Sequence, residues 1–157
     1  MERVVDFLEQ FTKVLARLEQ QGICTLATSA NNKTTARSIS VVVYNGKIAL
    51  QTSEKMEKFQ QITQNENVAL CYDNIQITGM AKIKEHPFQE KEFIEKFKKK
   101  HFNSFKTYSG MKSERVIEIT PLEIKCWLYF EKEPYVMTLD VSKQIANIEK
   151  YNRSETG

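Results

Sequence analysis

The chain has 157 residues, 41% hydrophobic and 27% charged, a net charge of +3, 5 glycines and 3 prolines. That is enough for one domain with a real core, and too little glycine and proline for a linker-rich or disordered chain. The charge is too small to imply nucleic acid by itself, and no apolar run approaches the ~20 residues of a membrane span. The opening MERVVDFLEQ carries acids early and lacks the apolar stretch of a signal peptide. Cys24, Cys71 and Cys126 are odd in number and lie in apolar, strand-like contexts, which fits buried, reduced thiols and a cytoplasmic protein.

Val4, Val5, Phe7, Leu8, Phe11, Val14, Leu15 and Leu18 recur at helical spacing, which predicts an amphipathic helix over residues 2–20, stopped by Gly22. Residues 23–28 (ICTLAT) read as a strand, followed by a turn in SANNK and a second strand over 34–44. Asn45-Gly46 is the strongest hairpin signal, with 47–52 as the returning strand. Residues 54–64 follow as a short helix with Met56, Phe59 and Ile62 facing inward. Strands over 67–72 and 75–84 are joined by a turn at Asp73-Asn74, and Gly79 marks a bulge or a close approach.

Pro87 opens a helix to about residue 101, with acids early, lysines late, and Phe88, Phe93, Ile94 and Phe97 on its buried side. Residues 115–119 and 122–130 read as closing strands broken at Thr120-Pro121, and 135–139 as a last edge strand. Asp140 or Ser142 would cap a final helix over 142–151, with the last residues frayed. Many short strands joined by tight turns favour an antiparallel barrel over a parallel sheet, in a single domain over 1–157 with the barrel at about 22–139.

Several chemistries find no support. His86 and His101 lie at no ligand spacing from a cysteine or carboxylate, and neither CxxC nor HExxH occurs, so no metal site is expected. There is no GxSxG, Walker loop or GxGxxG. A cofactor is therefore the natural source of any hard chemistry. Lys98-Lys99-Lys100-His101 reads as a solvated helix end in preference to a nucleic-acid patch.

Arg37 and Lys58 stand out. Arg37 lies near the start of a half-buried strand, and Lys58 in the first turns of the helix that follows Gln51-Thr52-Ser53. A phosphate could take hydrogen bonds from hydroxyls and backbone amides there, with a cation on either side. Equally, Arg37 could pair with a surface carboxylate and Lys58 be solvated; the residues alone leave both readings open.

In order along the chain, Arg37, the strand end Leu50-Gln51-Thr52, Lys58, Asn65 and Gly79-Met80-Ala81 resemble the pyridoxamine 5′-phosphate oxidase-like split-barrel family. Ile119-Thr120-Pro121 with Lys125-Cys126-Trp127 is similar to a segment of its short, general-stress-protein-like members. The resemblance implies a mainly β fold with flanking helices, a six-stranded antiparallel split barrel, and a homodimer with FMN at the subunit interface. It implies that Arg37 and Lys58 hold the phosphate, that Ser38, Ile39, Ser40, Gln51, Thr52 and Ser53 line the ribityl chain and ring, and that Trp127 reaches the flavin, with the partner subunit as a candidate source; read by itself, Trp127 is equally a core aromatic that does not reach it.

The family serine is Met56 here, and Glu54 and Glu57 add negative charge that Lys55 would offset. Val42 replaces a lysine of the true oxidases, and the chain is short of their C-terminal substrate segment, so authentic pyridoxamine-phosphate oxidation is not expected. The expected function is an FMN-dependent oxidoreductase acting on a small molecule, with NAD(P)H as a candidate donor and neither membrane nor nucleic acid as partner. The alternatives are a non-catalytic flavin or haem carrier or sensor, and a regulatory dimer without cofactor. No catalytic acid or base is assigned; Tyr72, Tyr108 and His86 are the nearby candidates.

Overall fold

The computed structural model describes residues 3–152. Helix α1 (Phe7–Gln21) begins where the Asp6 carboxylate accepts the Glu9 amide at 2.8 Å and ends at Gly22, whose φ of +72° and amide bond to the Leu18 carbonyl form the expected cap. It buries Val14, Leu15 and Leu18. Its predicted start is corrected, because Arg3–Val5 form a strand, β1, and Val4 and Leu8 are exposed.

The barrel is built from β2 (Ile23–Ala30), β3 (Lys33–Ser40), β4 (Val42–Tyr44), β5 (Lys47–Ser53), β6 (Asn67–Tyr72), β7 (Ile75–Ile83) and β8 (Glu114–Phe130), every pairing antiparallel. β3 and β4 are one run of chain interrupted at Val41, whose amide bonds the Gly22 carbonyl at 2.8 Å. β3 pairs with β2, whereas β4 pairs with β5. Counting β3 and β4 as one broken strand, the ring β2–β3/β4–β5–β8–β7–β6 closes on itself, and the break at Val41 is its split. Two-residue turns at Asn31-Asn32, Asn45-Gly46 and Asp73-Asn74, with positive φ at five of these six positions, supply the tight reversals that the Asn, Asp and Gly residues announce.

The two predicted closing strands are one. β8 runs for 17 residues through Thr120-Pro121, and the kink is absorbed by a register shift opposite Thr78 and Gly79. A Cβ on Gly79 would stand 2.6 Å from the Thr120 carbonyl oxygen, so this is both the bulge and the close approach its glycine implies. The far half of β8 leaves the ring and pairs with β9 (Glu133–Asp140), which pairs with β10 (Ile145–Lys150), which pairs with β1. The predicted C-terminal helix over 142–151 is thereby corrected to strand β10, and 135–139 is not an edge. Residues 153–157, expected to fray, lie outside the described residues.

Leu26, Ile48, Leu50, Ile77, Ile117, Ile119 and Ile124 fill the barrel, each under 2% exposed. Outside it, α3 (Lys91–Lys100) lays Phe93 and Phe97 on Val42, Ala49 and Val116, a second small core. The predicted helix from Pro87 is divided: Pro87–Gln89 is a 3-10 turn, and Phe88 is 59% exposed, not buried. After α3, a short α4 (Phe102–Ser104) and a π-helical turn (Phe105–Ser109) return the chain to β8. Cys71 is exposed, unlike Cys24 and Cys126. Among the described residues no helix is long and apolar enough to cross a membrane.

Two outward rows of the barrel carry no charge across four strands, and meet Lys125 and Glu123 only at β8. Outward rows across β3, β2, β6 and β7 read Ser38–Thr25–Cys71–Gln76 and Ala36–Ala27–Ala69–Thr78. A shallow groove of ≈ 310 Å³, lined in part by Ala27, Ala69 and Thr78, crosses these rows.

Candidate functional site

The split leaves two backbone edges unpaired. Residues 37–40 of β3 pair only with β2, and residues 50–53 of β5 pair only with β8, because β4 stops opposite Ala49. Across the ladder Arg37 faces Leu26, so its side chain points inward toward the barrel end, as does the 8%-exposed Ile39; Ser38 and Ser40 point out. On β5, Thr52 is buried, while Gln51 and Ser53 are held from outside. Ser109, itself fully buried, donates to Gln51 Oε1 at 2.7 Å, and the Ser53 and Ser113 hydroxyls meet at 2.9 Å.

Helix α2 (Glu57–Gln64) closes the barrel end beside Arg37. It buries Phe59, Gln61 and Ile62. Gln61 is the hub: its Oε1 accepts from Thr28 Oγ1 at 2.5 Å and from Thr35 Oγ1 at 2.7 Å, while its Nε2 donates to the Lys33 carbonyl. Both hydroxyls accept in turn from the Arg37 guanidinium, Thr28 at 2.8 Å from Nη1. The four side chains form a closed ring that fixes Arg37 while leaving its Nε–H and one Nη2–H outside the ring.

Lys58 is half-buried beside it. Burial, and then the charge of Arg37, lower the Lys58 pKa, with Glu114 opposing. Arg37 is also lowered, chiefly by burial. Two poorly solvated cations side by side are a seat for an anion, which would relieve both the desolvation and the mutual repulsion. The helix end adds to it, since Met56 stands at the N-cap of α2 with no side-chain cap, leaving its first amides open. Met56 is exposed rather than inward-facing as predicted.

The nearby acids are turned elsewhere. Glu57 pairs with Lys33 at 2.9 Å, which lowers its pKa, and Glu54 pairs with Arg115 at 2.9 Å. Glu114 alone is buried near Lys58; burial raises its pKa and the lysine draws it back. The residues present therefore fit a phosphate-bearing cofactor laid along the two free edges.

Of the predicted residues, the fold brings Arg37 and Lys58 together and sets 38–40 and 51–53 on the facing edges. Lys55 is exposed, its amide on Ser53 Oγ, and its side chain joins no ion pair in the described structure. Trp127 is not a core aromatic: it is 45% exposed on the outer face of β8, edge-to-face with Tyr151, away from the Arg37–Lys58 corner. Sequence reasoning missed Thr28, Thr35, Gln61 and Glu114. The stripe Lys58, Gln61, Ile62, Asn65 at helical spacing was the available signal for Gln61; Asn65 is the C-cap of α2, bonded to Ser29. Among the described residues no group of side chains is placed to hold a metal ion.

Residues 11–128 match the protein-family model described as Pyridoxamine 5′-phosphate oxidase. No curated protein matches the chain. Solved structures share its fold. General Stress Protein 26 from Bacillus anthracis is 19% identical, covering 74% of this chain and 91% of its own, with a TM-score of 0.58. A pyridoxamine 5′-phosphate oxidase-related, FMN-binding protein from Nostoc punctiforme is 11% identical over 92% and 95%, with a TM-score of 0.63. A heme binding protein from Mycobacterium smegmatis is 13% identical over 71% and 51%, with a TM-score of 0.58. At these identities the likeness is one of fold.

Proposed function

The chain belongs to the pyridoxamine 5′-phosphate oxidase family, and from that premise we propose that it binds FMN and acts as a flavin-dependent oxidoreductase on a small molecule. The observation that carries this is the Arg37–Lys58 corner: two half-buried cations at an uncapped helix N-terminus, between two free strand edges. Arg37, Lys58 and the first amides of α2 hold the phosphate. The backbone of residues 38–40 and 51–53 lines the ribityl chain and ring and excludes water. Bound FMN supplies the electron-transfer chemistry, with a reduced nicotinamide as donor. Val42, where the true oxidases carry a lysine, is fully buried against α3 and offers no substrate contact, which argues for a different substrate.

The partner in this reading is a second copy of the chain. The uncharged rows of small side chains across β3, β2, β6 and β7 are adjacent to the free edge of β3 and suit close, flat packing of two barrels. Such a dimer supplies Trp127 to the partner's cofactor if it reaches any.

Haem is the second reading, and His86 weighs against it. His86 accepts the Phe88 amide at Nδ1 and directs Nε2 to the Met111 carbonyl at 2.9 Å; His101 directs Nε2 to the Val41 carbonyl at 2.9 Å. His86 would have to give up one of these bonds to ligate iron, whereas His101 could ligate only through Nδ1 while keeping its own.

The test is the visible spectrum of the protein after FMN addition and desalting. The wild type is expected to keep a flavin band, and the Arg37→Ala/Lys58→Ala double variant to lose it with its circular dichroism unchanged. Undiminished flavin in the double variant would refute the phosphate assignment. Anaerobic bleaching by NADH or NADPH then separates an oxidoreductase from a carrier.

A further inference from the structure

Between β7 and β8 the chain makes an excursion whose inner side packs α3 on the barrel and braces β5 through Ser109 and Ser113, while its outer side meets solvent. It is pinned at both ends: His101 bonds the Val41 carbonyl at 2.9 Å, and Ser109 bonds Gln51 at 2.7 Å. Between and beside these pins, large apolar side chains face solvent: Phe88 59%, Phe102 54%, Tyr108 51% and Met111 47% exposed. Phe88 and Phe102 are contiguous through Phe105. Phe105 lies 6.3 Å from both Phe88 and Phe102, and Gly110 packs on the Phe88 ring. Exposing this much aromatic surface on a fixed segment is unfavourable unless something covers it.

The charge is one-sided along the later part of the excursion. Residues 96–112 hold six lysines and no acid, with Lys98 Nζ 5.3 Å from the Phe105 ring centroid. Two acids of the same segment are engaged on the barrel side: Glu90 pairs with Lys84 at 3.6 Å, and Glu92 accepts from Asn45 at 3.2 Å. Glu92 is nonetheless exposed, as are Glu95 and, ahead of Phe88, Glu85. A solvated helix end accounts for the lysines but not for the phenylalanines.

We propose that this segment docks the protein on an anionic lipid surface, with Phe88, Phe102, Tyr108 and Met111 entering the headgroup boundary and the lysines meeting the lipid phosphates. Phenylalanine and methionine suit an acyl boundary, and lysine suits a diffuse field of phosphates rather than the bidentate recognition arginine provides. This binding is peripheral.

Flotation with phosphatidylcholine vesicles, with and without phosphatidylglycerol, tests it. The full chain is expected to float only with the anionic vesicles and to be released by high salt. Lys99→Gln/Lys106→Gln/Lys112→Gln should weaken binding by about fivefold per lysine, on the order of a hundredfold together. Phe102→Ser/Tyr108→Ser, with every charge retained, should weaken it by roughly tenfold or more. All five side chains are exposed, and unchanged circular dichroism verifies folding. No flotation, binding unaffected by the aromatic pair, or a preference for a mixed oligonucleotide over vesicles at the same salt would each overturn the proposal. So would loss of dimerisation in the aromatic variant, which would make the patch a contact between copies.

Discussion

A lysine that shares a half-buried corner with an arginine titrates early, and Lys58 does so for two nameable reasons, lost water and a neighbouring guanidinium. Its folded pKa lies below the unfolded 10.5, so within that window the unfolded chain holds the extra proton and apo-protein stability rises with pH. Cofactor affinity runs the other way. A phosphate needs the charged lysine, so FMN affinity is expected to fall by roughly tenfold or more as pH climbs toward the ordinary lysine value. In Lys58→Arg the affinity should stay level over the same range; an identical decline in that variant would remove Lys58 from the phosphate site. Both cations were legible in the sequence, because a cation beside strand-exit hydroxyls and another at a helix start is a local pattern. Gln61 was not, since an amide between Phe59 and Ile62 reads as surface until β2 and β3 bring Thr28 and Thr35 above it.

Helix α2 closes one end of the barrel with Phe59 and Ile62, and through Gln61 it fixes the arginine that its own N-terminus faces. These two tasks are coupled. Gln61→Ala strips both threonine hydroxyls of their acceptor in a buried setting, and a loss of about 1–3 kcal/mol is expected in urea unfolding. The same variant should bind FMN more weakly, although Gln61 is assigned no contact with it. A variant that loses stability while keeping full affinity would show that Arg37 is positioned without the ring. The hairpins and α1 were readable from Asn-Gly, Asp-Asn and Gly22 signals. β10 was not: Asp140 does bond the Ser142 hydroxyl and Lys143 amide, as a helix cap would, but Gln144 takes a φ of +55° and the chain turns back. The spacing of Ala146 and Ile148 suits a strand, Ile145 to Ile148 also suits a helix, and the open edge of β9 decided between them.

At the level of the whole molecule, the two uncharged rows of the barrel turn the proposed homodimer into a measurable claim. Ala27 and Ala69 are opposite one another in the second row, so Ala27→Arg or Ala69→Glu would set an unpaired charge against a second copy. Sedimentation equilibrium is expected to show dimers for the wild type and monomers for either variant, with flavin retention falling in parallel. Dimers that persist in both would place the interface elsewhere. The antiparallel barrel was predictable from many short strands and tight turns. The strand annex was not, because the single 17-residue β8 that feeds both is interrupted in sequence by Thr120-Pro121, and only the offset opposite Gly79 lets it run through.

The pairing of β1 with β10 joins residues 3–5 to residues 146–148. A contact between such distant stretches closes a loop of nearly the whole chain, and its entropic cost falls due only after everything between has been ordered. Residues 3–5 are thus among the last to find their place. Helix α1, tethered just behind them, must wait on a barrel that does not yet exist.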